Sequence, residues 1–396
     1  MERIGIYGGT FNPPHLGHVG AARYGSALLG LSALLVIPSF ISPHKQLPEG
    51  SATPEQRFEM LKRCFAEDEC ITVTDLELQR GGTSYTYETV EQVKQLYPDK
   101  EPVLFMGTDM FLSFLSWKEP ERIMSNAVIA VFYRGDQDET AQVKAQKETL
   151  EKMGARIELV ENPVLAISST DLRRMLVFRC ADDFLPAGVA EYIQKMGLYG
   201  VNKDLRGLPE KQLEETVKGL LKPNRIAHVL GCRDTAVELA KHWEADPADA
   251  ARAALLHDVT KALDGPLQLT LCKAYGILLD EFSEQNPKTL HALTGSLVAK
   301  RIFGENDAVV TAIASHTTGK ANMNVLEKII YVADYMEPNR NFEGVEELRR
   351  LAYSDLDGAL ELGLNMTLQL LRQQGREISR ESLDALAWLK KIKKFL

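Results

Sequence analysis

Near residue 200 the sequence changes its period, and one domain does not accommodate both halves. Before that point, short aliphatic runs alternate with polar-faced stretches. Residues 4–7, 34–38, 71–73, 102–106 and 128–133 read as buried strands, and 19–29, 54–66 and 87–96 as helices. This rhythm predicts an α/β unit built on a parallel sheet, with its ligand crevice at the carboxyl ends of the strands. Beyond Tyr199 comes a polar, glycine-containing linker, Gly200 to Gly207. After it β-branched runs nearly vanish. Residues 224–243, 247–257 and 326–335 read as helices, so an all-α unit is expected to the end. The division is drawn at 1–203 and 204–396.

The chain has 396 residues, 45% hydrophobic and 26% charged, which is enough apolar material for two cores. A net charge of −9 argues against a general nucleic-acid binder, which would carry a basic face. Five dispersed cysteines without paired spacing point to reduced thiols and a cytoplasmic setting. The most apolar run, Ala27 to Ile41, is too short for a membrane span and contains Ser32, Pro38 and Ser39. No signal peptide precedes the first strand, and a homo-oligomer remains open.

After the first strand comes Gly8-Gly9-Thr10-Phe11-Asn12-Pro13-Pro14-His15-Leu16-Gly17-His18. The glycine pair is expected to turn the backbone sharply and bring N–H groups close to an anion. His15 and His18 fall at the entry of a helix, where unpaired N–H groups and the dipole favour phosphate. As donors they can follow charge developing on a transferring phosphoryl group. Further stretches fall at strand ends. Lys45 follows the second strand and reaches toward a phosphate. Arg80 to Thr86 is a polar loop before a helix. Gly107-Thr108-Asp109 supplies a carboxylate for ribose hydroxyls, with Trp117 beyond it. Ile167-Ser168-Ser169-Thr170 is suited to cap a helix, with Arg173 in its first turn, and reads as a second anion cradle.

Together these stretches resemble bacterial nicotinate-nucleotide adenylyltransferases of the nucleotidylyltransferase superfamily, from about Met1 to Tyr199. The resemblance implies a Rossmann-like sheet and adenylyl transfer from ATP to nicotinate mononucleotide with Mg²⁺. His15, His18, Lys45 and Arg173 would be catalytic. Gly8, Gly9, Thr10, Phe11, Gly107, Asp109, Ile167, Ser168, Ser169 and Thr170 would bind nucleotide. Ser84, Tyr85, Thr86 and Trp117 would surround the pyridine ring and its carboxylate. Another acceptor, nicotinamide mononucleotide or phosphopantetheine, is the rival that this last group speaks against.

In the second half, His228, the pair His257-Asp258, His291, His316 and Asp334 occur at intervals within apolar stretches. Imidazole with carboxylate suits iron, manganese or zinc. Buried and unpaired, such groups would cost several kcal/mol, on the order of 2–7 each. With Ser315-His316-Thr317-Thr318-Gly319 and Tyr331 to Arg340, the pattern resembles HD-domain bis(5′-nucleosyl)-tetraphosphatases, from about Lys222 to Leu351. That resemblance implies an HD-domain helical bundle that splits diadenosine tetraphosphate symmetrically into two ADP. His228, His257, Asp258 and Asp334 would hold one transition metal, and Asp258, His291 and His316 a second, with iron the first choice. Lys261 would face the polyphosphate and Arg340 would contact substrate. The sequence leaves the family pattern at Val259-Thr260 and at His291-Ala292-Leu293-Thr294-Gly295. A nucleotide-sensing HD domain without turnover is the rival reading.

Overall fold

The computed structural model describes residues 1–43, 46–133, 137–162 and 167–392. The chain divides into two compact units, Met1–Asn202 and Lys203–Leu396.

The first unit is a six-stranded sheet, β1 Glu2–Gly9, β2 Ala33–Pro38, β3 Ile71–Val73, β4 Lys100–Gly107, β5 Val128–Tyr133 and β6 Arg156–Glu161. Every pairing is parallel, in the order β3-β2-β1-β4-β5-β6. The chain therefore reverses its winding between β1 and β4, and the crevice of such a sheet opens at that switch point. Val103 to Met106 and Val128 to Val131 are all buried, as strands covered by helices on both faces require. Helix Leu16–Leu28 follows β1 and lies close against the sheet. A Cβ at Gly25 would come within 2.5 Å of Phe132 and 2.7 Å of Phe105, so only glycine permits that approach.

Two details differ from the sequence reading. Gly8 and Gly9 do not make the turn: they are strand residues paired with Ile37 and Pro38, and the sharp bend falls on Phe11 at φ +50°. Phe11 tolerates this left-handed conformation because its ring is buried against Tyr7 and His18. The first helix begins at Leu16 rather than residue 19, which makes His15 the residue that caps its entry.

The described residues of the second unit contain helices and no strand. Helices Pro223–His242 and Pro247–Leu256 each start with proline, which lacks the N–H that a first turn leaves unpaired. Asp246 caps the second by accepting from Ala248 and Asp249 N–H. Its buried alanines, 250, 251, 253 and 254, allow tight packing on its neighbours. Helices His291–Val298, Asp307–Ser315 and Val325–Met336 complete the wall around the polar cluster described below. No helix among the described residues is long and apolar enough to cross a membrane.

Candidate functional site

In the first unit the carboxyl ends of β1 and β4 meet the start of helix Leu16–Leu28. His15 and His18 lie face to face there, with ring centroids 3.6 Å apart. The His15 main-chain N–H donates to His18 Nδ1 at 3.2 Å. A neutral ring that accepts at Nδ1 carries its proton on Nε2, so His18 presents a donor on its other side. Burial drops the His15 pKa to about 4, so that ring is neutral at pH 7. The two ring planes are inclined by 32°, and a neutral His15 spares the pair the repulsion of two cations.

The loop between β1 and this helix is held by its carbonyls. Arg57 Nη1 donates to Thr10 O at 2.7 Å, Arg173 Nη1 to Asn12 O at 2.7 Å, and Ser169 Oγ to Pro13 O at 3.1 Å. The Asn12 side chain is buried and accepts from Tyr199 OH at 2.8 Å and Ala52 N–H at 3.3 Å. Arg57 is fully buried, its Nη2 donates to Ser39 O at 2.6 Å, and no carboxylate among the described residues pairs with it. Burial pulls the pKa of Arg57 and of Arg173 below the usual arginine range. Two guanidiniums clasping carbonyls leave net positive charge under the loop, which an anion above it would offset.

The other expected residues lie on further elements of this unit. Gly107 ends β4, and both it and Asp109 are exposed. Space is open where a Cβ on Gly8 or Gly107 would project. Ser168 caps helix Ser169–Val177 through Asp171 N–H at 3.0 Å, and Thr170 Oγ1 accepts from Arg173 at 3.1 Å. Ile167 is buried. Ser84 is buried and accepts from Phe40 N–H at 2.9 Å, which ties the loop after β2 to helix Thr86–Leu96. Trp117 is half-buried beside Phe114, and its neighbour Lys118 places Nζ 4.1 Å from the Tyr85 ring centre. Lys45 lies outside the described residues.

In the second unit, His228, His257, Asp258, His291, His316 and Asp334 converge. Each imidazole is fixed by its Nδ1: His228 on Glu337 Oε1 at 3.1 Å, His257 on Ala254 O at 2.6 Å, His291 on Lys288 O at 2.9 Å, and His316 on Ile313 O at 2.7 Å. A proton on Nδ1 leaves a lone pair on Nε2, and the Nε2 atoms turn inward. His228 and His257 bring theirs within 3.4 Å of each other. His228 Nε2 is 3.0 Å from Asp334 Oδ1, and Asp258 Oδ1 is 3.4 Å from His291 Nε2 and 3.8 Å from His316 Nε2. Asp258 is fully buried, and its Oδ1 accepts no hydrogen bond. Imidazole lone pairs gathered beside two carboxylates are a donor set that could hold a cation. Two ligand groups satisfy the spacing, His228-His257-Asp334 and His257-Asp258-His316.

Electrostatics agree with that donor set. Burial pushes the Asp258 pKa up, but His257, His316 and Lys261 outweigh it and hold the group well below the usual carboxylate range. Asp334 follows the same balance, with His228, His257 and Arg340 lowering it. Burial, then Lys261 and His316, drop His291 to about 3. Lys261 Nζ lies 3.2 Å from Asp258 Oδ1, and Arg340 Nη2 donates to Asp334 Oδ1 at 2.7 Å.

Residues 6–175 match the cytidylyltransferase-like family and residues 225–339 the HD domain. A protein of Desulfitobacterium hafniense named as a probable nicotinate-nucleotide adenylyltransferase is 35% identical over 201 residues, 50% of this chain and 97% of that protein. One of the same name from Thermus thermophilus is 36% identical over 198 residues, 50% of this chain and 99% of that protein. Through its first half, the chain belongs to the nicotinate-nucleotide adenylyltransferase family. Its second half carries an HD domain. A solved structure described as a predicted HD superfamily hydrolase involved in NAD metabolism, from Clostridium acetobutylicum, is 36% identical. It covers 47% of this chain and 98% of its own, with a TM-score of 0.46.

Several residues of this adenylyltransferase–HD chain escape a reading by sequence alone. Arg57 reads as a surface arginine, although it shares the helical register of Met60, Leu61 and Cys64 on the buried face. Tyr199 lies 187 positions from its partner Asn12. Arg225, which grips Asp258 Oδ2, sits one turn before His228 on the same helix. Glu337 follows Asp334 by three residues. In both cases the signal is spacing from a ligand.

Proposed function

We propose that the first unit transfers the adenylyl group of ATP to nicotinate mononucleotide, giving deamido-NAD and pyrophosphate. The observation that carries this is the close His15–His18 pair at a helix entry on the switch point of the sheet, in a chain whose relatives bear that name. A phosphate oxygen of the mononucleotide attacks the α-phosphorus. The bond to the bridging oxygen breaks, and pyrophosphate leaves with that electron pair. No protein nucleophile is needed, so the residues position and neutralise. His18 Nε2–H donates to a phosphate oxygen, and His15, Arg173 and Lys45 offset charge beside it. Gly8 and Gly9 let the nucleotide approach the main chain, with Thr10 and Phe11 beside them. Ser168, Ser169 and Thr170 open the second phosphate-facing helix, and Gly107 and Asp109 meet the ribose. Ser84, Tyr85, Thr86 and Trp117 enclose the pyridine ring, and Mg²⁺ enters with the ATP phosphates. The test is the purified chain with nicotinate mononucleotide and ATP, read as deamido-NAD and pyrophosphate. Equal turnover of nicotinamide mononucleotide would overturn the choice of acceptor.

For the second unit we infer a metal-dependent phosphohydrolase that cuts diadenosine tetraphosphate into two ADP. The convergence of six candidate ligands, enough for two ions, favours it over a sensor without turnover, which need not keep a dinuclear site. His228, His257 and Asp334 would hold one divalent ion, iron, manganese or zinc. Asp258, His291 and His316 would hold the other. Such a pair of ions acidifies water and clamps attacking and leaving oxygens. Lys261 and Arg340 stand at the rim of this cluster, where they would bind the tetraphosphate. Chromatography of the products decides the reading: two ADP are expected, and ATP plus AMP would mean that another bond is cut.

A further inference from the structure

Thr260 and Thr294 are fully buried, and their hydroxyl oxygens lie 2.8 Å apart. They fall within the two stretches where the sequence leaves the HD pattern, so the two departures touch. Gln268, also buried, closes the group. Its Oε1 accepts from Thr294 Oγ1 at 2.6 Å, and its Nε2 donates to the Thr260 carbonyl at 2.7 Å. The Thr260 hydroxyl, with one proton, donates either to Thr294 Oγ1 or to the His291 carbonyl 3.1 Å away. Buried polar groups are costly unless satisfied, and satisfied networks of this kind fix one arrangement of the parts they join.

The parts joined here are the His257–Lys261 turn and helix His291–Val298. Gly295 lets them come together, since a Cβ there would lie 3.2 Å from the His257 carbonyl oxygen and 3.7 Å from that of Leu256. The Asp258 and His291 side chains face each other across this joint, 3.4 Å apart. His228 and Asp334 come from helices Pro223–His242 and Val325–Met336, which the three residues do not hydrogen-bond.

We propose that Thr260, Thr294 and Gln268 are positioning residues that set His291 against Asp258 and so complete the second cation site, acting less on the site that takes His228 and Asp334 from other helices and only His257 from this turn. The proposal rests on the metal-dependent reading above. Thr260→Val removes the hydroxyl at nearly constant shape, and Thr260→Ser keeps it. The full chain, stripped by chelator, is titrated with Mn²⁺ and the free ion is read by electron paramagnetic resonance.

Wild type is expected to bind two ions. In Thr260→Val the weaker of the two dissociation constants should rise about 10–100-fold, as loss of an outer partner of a ligand does. The other constant should change less, since only His257 among its ligands lies on the joined turn, and Thr260→Ser should restore both. Should Thr260→Val fail to fold by circular dichroism, Thr294→Val takes its place in the same titration. A folded valine variant with both constants unchanged, or with both weakened alike, overturns the positioning role. A wild type that binds fewer than two ions overturns the metal reading instead.

Discussion

Because burial lowers the His15 pKa to about 4, folding and proton binding oppose each other at this ring. The unfolded chain takes up the proton near the ordinary value of 6.5, and the folded one only near 4. Stability from this group is therefore complete above about pH 6.5 and lost as the pH falls toward 4. At ~1.4 kcal/mol per unit, the loss is about 3 kcal/mol. Histidine-labelled NMR should find His15 still neutral at pH 5 and partly protonated there once ATP is added. Titration near 6.5 in the free protein would contradict the burial argument. His18 acts differently, through the donor on Nε2. Its replacement, His18→Ala, should cut deamido-NAD synthesis by a hundredfold or more, given ~2.7–4 kcal/mol for such a donor. Hydrolysis by the second unit should not change. A variant that keeps near wild-type synthesis would remove His18 from the chemistry.

At the scale of elements, helix Pro54–Cys64 holds the phosphate-facing loop through one side chain, Arg57. Arg57→Met should lower kcat for adenylyl transfer at least tenfold, because it removes charge and the tethers to the Thr10, Ser39 and Phe40 carbonyls together. Arg57→Lys should recover part of that loss, since it returns the charge without the fork geometry. Equal loss in both variants with an unfolded first unit would reduce Arg57 to a core residue. Trp117→Ala should raise KM for the nicotinate substrate more than for ATP, because ~1–3 kcal/mol of stacking belongs to the pyridine end alone. Equal rises would make Trp117 a packing residue.

Legibility also differs by element. Ile71–Val73 and Val128–Tyr133 have the bounds that their apolar runs predict. Strand β6, Arg156–Glu161, escapes notice because charged residues interrupt it on the sheet edge, where one side needs no apolar cover. The six proposed ligands were legible because polar residues inside apolar helices stand out. Arg57 and Arg225 were not, since an arginine in a helix ordinarily reads as solvated.

For the whole molecule, the division into Met1–Asn202 and Lys203–Leu396 predicts that the activities separate. Asp258→Ala should lose bound metal and tetraphosphate hydrolysis together, with adenylyl transfer at wild-type rate; elemental analysis and both assays on one preparation check this. Loss of adenylyl transfer in the same variant would mean that the units are coupled.

Three of the four ligand histidines are aimed by the main-chain carbonyl three residues before them: Ala254 for His257, Lys288 for His291 and Ile313 for His316. A carbonyl survives almost any substitution of its own residue, so a change at Lys288 need not turn a ligand, whereas Ala254 and Ile313 are held by the core they fill. Among the four, His228 is the one whose Nδ1 leans on a side chain, Glu337. Glu337 is thus a point where a single codon change, leaving all six proposed ligands in place, would release the His228 ring.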